Sequence, residues 1–214
     1  MIGETVYQPQ QDIEELMNLY DQEILPCPQI PDRKTLLLRA RLLFEEARET
    51  IEAAGCKING LDNVAGDFVV IDPDLEPNLK EMGDGIGDTL VVLYGFANAI
   101  GMQVKPVWDE IQRSNLSKMW AHCSVCDEVL EKREGRGDWL FHADATPEQS
   151  SKHGGDWKVV LKIHKREDGK VIKAPTYSPA DIQGVLDRQI ADYQIAEFIY
   201  GEIHGEKEGT LQWS

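Results

Sequence analysis

The chain has 214 residues, enough for one hydrophobic core, alone or with an appended piece. Hydrophobic residues make up 42%, which is typical of a globular protein and argues against a disordered one. The net charge of −16 argues against nucleic-acid binding through a generally basic surface, so a phosphorylated ligand would need locally placed positive charge.

The sequence indicates a cytoplasmic protein. It contains no apolar run long enough to cross a bilayer, and its first residues lack a basic region followed by an apolar stretch. Four cysteines without an export signal argue against a disulfide framework. We therefore expect a cytoplasmic location, in the host cytoplasm if the protein is viral, with no membrane and no nucleic-acid partner.

Five segments have apolar residues at helical spacing. In chain order they cover about residues 12–24, 33–54, 74–100, 105–120 and 180–204. Asp32 can cap the second segment and Gly55 can end it, whereas Pro77 favours a late start for the third. Residues 68–71 are read either as a short strand or as packed loop. These segments predict a mostly helical core.

Residues 120–165 differ from the rest because they are rich in glycine, charged residues and histidine. Residues 138–142 and 157–164 alternate as strands do. We predict that 120–165 form an inserted hairpin or small subdomain, and that 1–119 and 166–214 form the helical domain. The predicted fold class is all-α, a bundle of four to five helices with a small β-containing insertion.

Two clusters of carboxylates lie on the second and third predicted helices. They consist of Glu45, Glu46 and Glu49, then Asp84 and Asp88, with Glu81 one turn earlier. Residues three and four apart share a helix face, so packing these two faces together would gather four or five carboxylates. Such acids raise one another's pKa and cost stability unless cations neutralise them. Oxygen ligands suit Mg²⁺ or Mn²⁺.

The first carboxylate cluster also has a simpler interpretation. It is equally consistent with a solvated stripe paired with Arg41 and Arg48. The second is harder to explain in that way, because its aspartates interrupt an apolar run and its two glycines, Gly85 and Gly87, weaken a helix further.

Basic residues form local islands in this acidic chain. Arg113 and Lys118, within the phrase RSNLSK, can neutralise phosphate oxygens, and Asn115 can donate hydrogen bonds to them. A second island covers residues 165–177 and includes Lys173 and Tyr177. The alternative is that each lysine serves solubility and that the DGK phrase of this island is a plain turn.

Cys123 and Cys126 have the spacing of half a zinc site. A second pair of this kind is missing, so a Cys2His2 site would recruit two of the histidines at 122, 142, 153 and 164. The alternative is a pair of free thiols among ordinary loop histidines. A bound metal ion would stabilise a small subdomain whose hydrophobic core is small.

These motifs resemble those of the all-α nucleoside triphosphate pyrophosphohydrolases, the superfamily of MazG-like proteins, dimeric dUTPases and phosphoribosyl-ATP pyrophosphohydrolases. Glu45–Glu49 matches the EExxE motif of that superfamily. Its ExxD motif is altered, because Gly85 stands where the glutamate belongs when Asp88 is aligned with the aspartate. The resulting DxxxD resembles the phosphoribosyl-ATP-pyrophosphohydrolase-like and phage MazG-like branch, although Glu81 and Asp84 also read as ExxD. The resemblance covers residues 12–119 and 166–199.

The resemblance implies metal-dependent cleavage between the α and β phosphates of an NTP or dNTP, giving a monophosphate and pyrophosphate. It implies that Glu46 activates the attacking water and that metal ligands come from the two clusters, namely Glu45, Glu46, Glu49, Asp84 and Asp88, with Glu81 competing for a role. The expected phosphate ligands are Arg113, Asn115, Lys118, Lys173 and Tyr177. A homodimer or homotetramer is also expected.

Two other classes of function are consistent with the sequence. A nucleotide-binding or regulatory protein on the same helices would use the insertion as an interaction module. A metal-storage bundle would need the acids but would have no use for RSNLSK. The preferred base and sugar are not readable from the sequence.

Overall fold

The computed structural model describes residues 8–58, 68–132, 140–142 and 159–204, with the backbone alone at 131, 132, 140–142 and 204. In these ranges the chain forms five α-helices and eight short strands, so the prediction of a mostly helical fold is confirmed. The bundle arrangement of the helices stays a prediction. The chain divides into two compact units, Met1–Val104 with Leu186–Ser214, and Lys105–Val185.

Three helices of the first unit lie in the N-terminal half of the chain. They are α1 (Pro9–Leu19), α2 (Arg33–Ala53) and α3 (Leu79–Ala99). Helix α2 begins where predicted, because Asp32 accepts hydrogen bonds from the backbone N–H groups of Lys34 at 2.6 Å and Thr35 at 3.2 Å. Helix α3 begins only after Pro77, where the side chain of Asn78 caps it. Helix α3 packs against both α1 and α2.

The prediction that the first helix reaches residue 24 is wrong. The helix ends at Leu19, and Asp21 has a φ of 54°, in the left-handed region. The N–H of Gln22 then donates to the carbonyl of Met17 at 2.9 Å, which satisfies a carbonyl of the last turn.

A short antiparallel pair completes the loop between α2 and α3. It consists of β1 (Cys56–Ile58) and β2 (Val69–Ile71), with Cys56 opposite Ile71. The question of strand or packed loop at residues 68–71 is thereby decided in favour of a strand. The glycine that ends α2, Gly55, has a φ of 75°, which is accessible to glycine at little cost.

The last helix, α5 (Ile182–His204), begins slightly later than predicted. Asp181 precedes it, and its carboxylate accepts a hydrogen bond from the N–H of Gly184 at 3.0 Å, as an N-cap does. Further along α5, Gln189 accepts from the N–H of Gln103 at 2.8 Å and donates to its carbonyl at 3.1 Å, both within the first unit.

Among its described residues, the second unit contains one helix, the first residues of α5 and three antiparallel strand pairs. The elements are α4 (Val104–Leu116), which begins at the unit boundary, β3 (Trp120–Cys123), β4 (Leu130–Lys132), β5 (Leu140–His142), β6 (Val159–Lys162), β7 (His164–Lys165) and β8 (Val171–Ile172). Strand β3 pairs with β6, β4 with β5, and β7 with β8. The predicted strands are thus present at 140–142, at 159–162 and at His164, with a break at Ile163. Positions 138, 139, 157 and 158 lie outside the described residues.

The prediction that the fourth helix reaches residue 120 is wrong. Helix α4 ends at Leu116, and Trp120 belongs to β3. The second unit includes the described part of the predicted insertion at 120–165, together with α4 and the segment after the insertion. The exact boundaries of the insertion stay a prediction.

Buried apolar residues mark one small core in each unit. In the first unit they include Met17, Ala97 and Ala99, and in the second Leu130, Ala174 and Val185. No single helix in the described ranges is long and apolar enough to cross a membrane. Taken together across the break between them, α3 and α4 have the length and apolar composition of a membrane span, by those two properties alone.

Candidate active site

The contact between α2 and α3 places the two carboxylate clusters. Gly85 is buried at this contact, and a Cβ atom built on it would lie 2.6 Å from the Oγ1 of Thr50. One turn along α3, the hydroxyl of Thr89 lies 3.5 Å from that of Thr50. The Thr50 hydroxyl also donates to the carbonyl of Glu46 at 2.8 Å. The helices therefore meet where the glycine and two threonines keep the side chains small.

The five carboxylates of the two clusters share one electrostatic neighbourhood in the first unit. Glu46 is half-buried, whereas Glu45, Glu49, Asp84 and Asp88 are exposed. The pKa of Glu46 is raised above its ordinary value, first by burial and then by the negative charges of Asp88, Glu49, Glu45 and Asp84. The proximity that the helical spacing predicted is therefore present, with Glu46 as the acid on which the other charges act.

Glu81 is not among the acids that raise the pKa of Glu46. Its carboxylate instead accepts from the ammonium group of the neighbouring Lys80 at 3.1 Å. In the DxxxD alignment, Gly85 stands at the glutamate position of the motif, and its contact with Thr50 leaves no space there for a longer side chain. Asp84 and Asp88 are the acids of α3 whose charges act on Glu46, and the choice of metal ligands among the three acids stays a prediction.

On one side of α2 the acids are exposed and pair with an arginine, as expected for a solvated stripe. Arg48 donates to Glu52 at 2.8 Å and lies 3.7 Å from Glu49. Exposed pairs of this kind contribute little to stability. Glu52 accordingly belongs to a surface pair and not to the carboxylate group around Glu46.

The donor set fits a hard divalent cation, since all five side chains offer carboxylate oxygens. In the part of the chain that the structure describes, however, no three His, Cys, Asp or Glu side chains converge closely enough to hold a metal ion. Mutual repulsion between ionised carboxylates favours such a spread arrangement. The metal ligands predicted from the sequence are therefore neighbours whose oxygens do not meet at one point.

The two basic islands contact each other in the second unit. The N–H of Ala174 donates to the carbonyl of Lys118 at 3.2 Å. The hydroxyl of Ser117 donates to the carbonyl of Ser178 at 3.2 Å and accepts from its N–H at 2.9 Å. The end of α4 and the segment before α5 are thereby joined, although the two motifs are far apart in the sequence.

Arg113 is engaged in this junction. Its guanidinium donates two hydrogen bonds of 2.8 Å to Glu110 and one of 2.8 Å to the carbonyl of Pro179. The hydrogen bond to Glu110 is the main reason that the pKa of Arg113 is raised. Of the five predicted phosphate ligands, Arg113 is thus the one whose charge is already neutralised.

Lys118 and Lys173 form their contacts with uncharged groups among the described residues. The ammonium group of Lys118 donates to the amide oxygen of Asn115 at 2.7 Å, and that of Lys173 lies 4.0 Å from the centre of the Tyr177 ring. The pKa of Tyr177 is lowered by a hydrogen bond from Ser114 and then by the positive charges of Lys173 and Lys118. No carboxylate among the described residues forms an ion pair with either lysine.

The sequence did not indicate the small residues that support the carboxylates of the first unit and the basic residues of the second. Thr50 and Thr89 set the approach of α2 to α3, and Ser114 supports Tyr177. A buried glycine in the middle of an apolar helix is a signal of close approach by a neighbour. The pairing of Ser117 with Ser178 leaves no comparable signal in the sequence.

The candidate zinc ligands lie on the turn after β3, where Cys123 is buried and Cys126 is exposed. Two of the histidines named with them are paired with each other, since the Nε2 atoms of His122 and His164 lie 3.0 Å apart. The side chain of His142 and the whole of His153 lie outside the described residues.

Comparison with known proteins gives one family. The family model described as phosphoribosyl-ATP pyrophosphohydrolase matches residues 13–115, a segment that includes α2, α3 and both carboxylate clusters. The match ends before Lys118, so the second basic island and the insertion lie outside it. No curated protein matches the chain.

Proposed function

Because residues 13–115 belong to the phosphoribosyl-ATP pyrophosphohydrolase family, within the MazG-like superfamily of nucleoside triphosphate pyrophosphohydrolases, we propose a specific reaction for this protein. The family indicates a pyrophosphohydrolase that acts on nucleotide-like substrates. The proposed reaction is hydrolysis of an NTP or dNTP between its α and β phosphates, dependent on Mg²⁺ or Mn²⁺, with a monophosphate and pyrophosphate as products.

One observation carries this proposal, namely the gathering of four negative charges around the half-buried Glu46. Grouped carboxylates are costly, and in this chain they coincide with the segment that the family model matches. A purely structural role gives no account of that cost, whereas binding of a cation and a polyphosphate does.

The proposed roles follow from the positions of the acids. Glu45, Glu49, Asp84 and Asp88 would hold the divalent cation by their carboxylate oxygens. When bound, the cation supplies neutralisation of the charge on the phosphates. Glu46 would orient the attacking water and accept a proton from it at a carboxylate oxygen. A raised pKa supports this role, because proton acceptance is most efficient when the pKa of the base is near the working pH.

Incubation of the protein with each NTP, each dNTP and phosphoribosyl-ATP tests the proposed reaction. We expect monophosphate and pyrophosphate from at least one of the triphosphates in the presence of Mg²⁺, and no reaction after its removal by a chelator. Binding of nucleotides without any hydrolysis would favour a regulatory protein on the same scaffold. Hydrolysis of phosphoribosyl-ATP alone would correct the substrate class while keeping the type of reaction.

We propose that the basic cluster of the second unit binds phosphate oxygens through Lys118 and Lys173, with Asn115 and Tyr177 as hydrogen-bonding partners. Arg113 would then position the cluster through its bonds to Glu110 and Pro179.

Replacing both Lys118 and Lys173 by alanine is expected to raise KM more than about 100-fold, because each hydrogen bond from a charged group contributes roughly 1.5–3 kcal/mol and about 1.4 kcal/mol corresponds to a factor of ten. Steady-state kinetics on the double variant measure this effect. Lys105→Ala is the matched control, since Lys105 already pairs with Asp109 at 2.7 Å and should leave KM unchanged. Equal effects of the two changes would contradict the proposed role.

We also propose that the protein forms a homodimer or homotetramer, and exposed apolar side chains on α5 support this. Ile195, Phe198, Ile199 and Ile203 follow helical spacing and are exposed by 57%, 69%, 50% and 68%. Such a continuous apolar stripe is unusual on the surface of a monomer.

Phe198→Glu is expected to shift the protein toward the monomer, because a carboxylate placed in an apolar contact loses its hydration. Light scattering after size-exclusion chromatography measures the mass. Ile30→Glu, at a loop residue that is 87% exposed, is the control and should leave the assembly intact. A wild-type protein that is monomeric at all concentrations would contradict the proposal.

A further inference from the structure

The turn that follows β3 brings two sulfur atoms together. Cys123, the last residue of β3, is 1% exposed, whereas Cys126 lies at the surface. The two side chains are hydrogen-bonded to each other.

Backbone N–H groups point at both sulfur atoms. The N–H of Val125 donates to the Sγ of Cys123 at 3.4 Å, and the N–H of Cys126 donates to the same sulfur. The N–H of Glu128 donates to the Sγ of Cys126. These donors hold the two sulfur-bearing side chains in one orientation on the turn.

The backbone of the turn is fixed from several sides. Asp127 has a φ of 62°, which non-glycine residues rarely adopt. Its N–H donates to the carbonyl of Cys123 at 3.0 Å, and the N–H of Cys123 donates to the carbonyl of Glu128 at 2.9 Å. The carboxylate of Asp127 accepts a hydrogen bond from Lys162 on β6. The two sulfur atoms are thus held in place before any ligand arrives.

The nearby histidines support the turn and do not face the sulfur atoms as a group. The Nδ1 of His122 lies 2.7 Å from the carbonyl of Asp127, and its Nε2 lies 3.0 Å from that of His164. The ring of His164 stacks on Trp120 with 4.7 Å between ring centres. Within the described residues, no third His, Cys, Asp or Glu completes a metal-binding group with the two cysteines.

We propose that Cys123 and Cys126 bind one zinc ion as a pair of thiolate ligands, at a site separate from the carboxylates of α2 and α3. The exposed position of Cys126 leaves the remaining coordination positions accessible. This proposal does not depend on the proposed reaction, because the acids that define that reaction lie in the other unit.

Metal analysis of the full-length protein, purified under reducing conditions with excess Mg²⁺, tests the proposal. We expect about one zinc per chain, and thiolate-to-metal charge-transfer absorption when Co²⁺ replaces zinc, since that band requires sulfur ligands. Cys126→Ser is expected to lower the zinc content at least 10-fold. Because Cys126 is exposed, this change is not expected to disturb packing, whereas Cys123→Ser replaces a buried residue. Cys27→Ser and Cys56→Ser are the matched controls and should keep the zinc.

Thiol reactivity provides a second readout on the unmodified protein. We expect two additional thiols per chain to react after a chelator removes zinc. The proposal is overturned if the wild type contains no zinc, if a Cys123–Cys126 disulfide is found instead, or if Cys126→Ser keeps the full zinc content. Loss of zinc from Glu46→Gln but not from Cys126→Ser would also overturn it, by placing the metal among the carboxylates.

Discussion

Glu46→Gln is expected to lower kcat about 10²- to 10⁴-fold, the range that a positioned general base contributes. Glutamine has nearly the same shape as glutamate, so the variant removes the charge and the proton-accepting oxygen with little change in packing. Steady-state kinetics with the best substrate and Mg²⁺ measure the loss. Glu52→Gln on the same helix is the matched control, because Glu52 pairs with Arg48 and should keep wild-type activity.

The same variant should be more stable than the wild type when no divalent cation is present. Burial and four negative charges raise the pKa of Glu46, so the folded state binds its proton more tightly than the unfolded state does. Stability is therefore lost as the pH rises from the ordinary glutamate range through the raised pKa. Glutamine has no charge to lose, so we expect a melting temperature about 2–4 °C higher at neutral pH in a chelator.

Glu81→Gln distinguishes the two alignments of the acidic motif. Glu81 pairs with Lys80 and is not among the acids that act on Glu46, so this variant should keep nearly full activity. A loss of activity as large as that of Asp88→Asn would assign Glu81 to the site and contradict the DxxxD alignment.

For Glu46→Gln, an unchanged melting temperature together with full activity would contradict the assignment of Glu46 as the base.

Gly85→Ala is expected to destabilise the protein by about 1–3 kcal/mol, the usual cost of overpacking a tight contact. The added Cβ would lie 2.6 Å from the Oγ1 of Thr50 and 3.2 Å from its Cα, and the latter belongs to the backbone of α2 and cannot rotate away. The helices must separate, which also moves Asp84 and Asp88 away from the first cluster. Thermal unfolding and kcat should therefore both fall, with a melting temperature lower by roughly 4–8 °C for about 2 kcal/mol.

Two other glycines of α3 provide matched controls for this change. A Cβ at Gly83 or Gly87 meets nothing within 4 Å. Alanine is favoured over glycine in helices by about 0.5–1 kcal/mol, so both control variants should melt at or above the wild-type temperature. Adding Thr50→Ala to Gly85→Ala should restore part of the lost stability, because contacting residues are coupled. Equal melting temperatures for all three glycine variants would show that the close approach of α2 and α3 is not real.

The sequence predicted the helices well where a local residue sets the boundary. Asp32 caps α2 with its own carboxylate and Gly55 ends the helix, so both ends follow from short-range chemistry. The end of α1 was missed because Asp21 takes a left-handed conformation that glycine usually supplies. The end of α4 was missed because long-range contacts decide it, namely Ser117 with Ser178 and Trp120 with Lys162.

For the candidate site, the sequence predicted which acids share a helix face but not how the two helices face each other. Helical spacing alone placed Glu45, Glu46 and Glu49 together, and Asp84 with Asp88, but spacing does not give the rotation of one helix against another. The packing of Gly85 on Thr50 supplies that rotation and places Asp84 and Asp88 where their charges act on Glu46. The neutralisation of Arg113 by Glu110 was likewise hidden, although the two residues are three apart on one helix.

The proposed reaction, cleavage of a nucleotide between its α and β phosphates at the acids around Glu46, is tested most directly by phosphorus NMR of the products. Wild type and Glu46→Gln are compared side by side in Mg²⁺ with the best triphosphate. We expect equal amounts of monophosphate and pyrophosphate from the wild type and almost none from the variant. Release of orthophosphate by the wild type, or pyrophosphate formed by the variant at the wild-type rate, would contradict the proposed reaction.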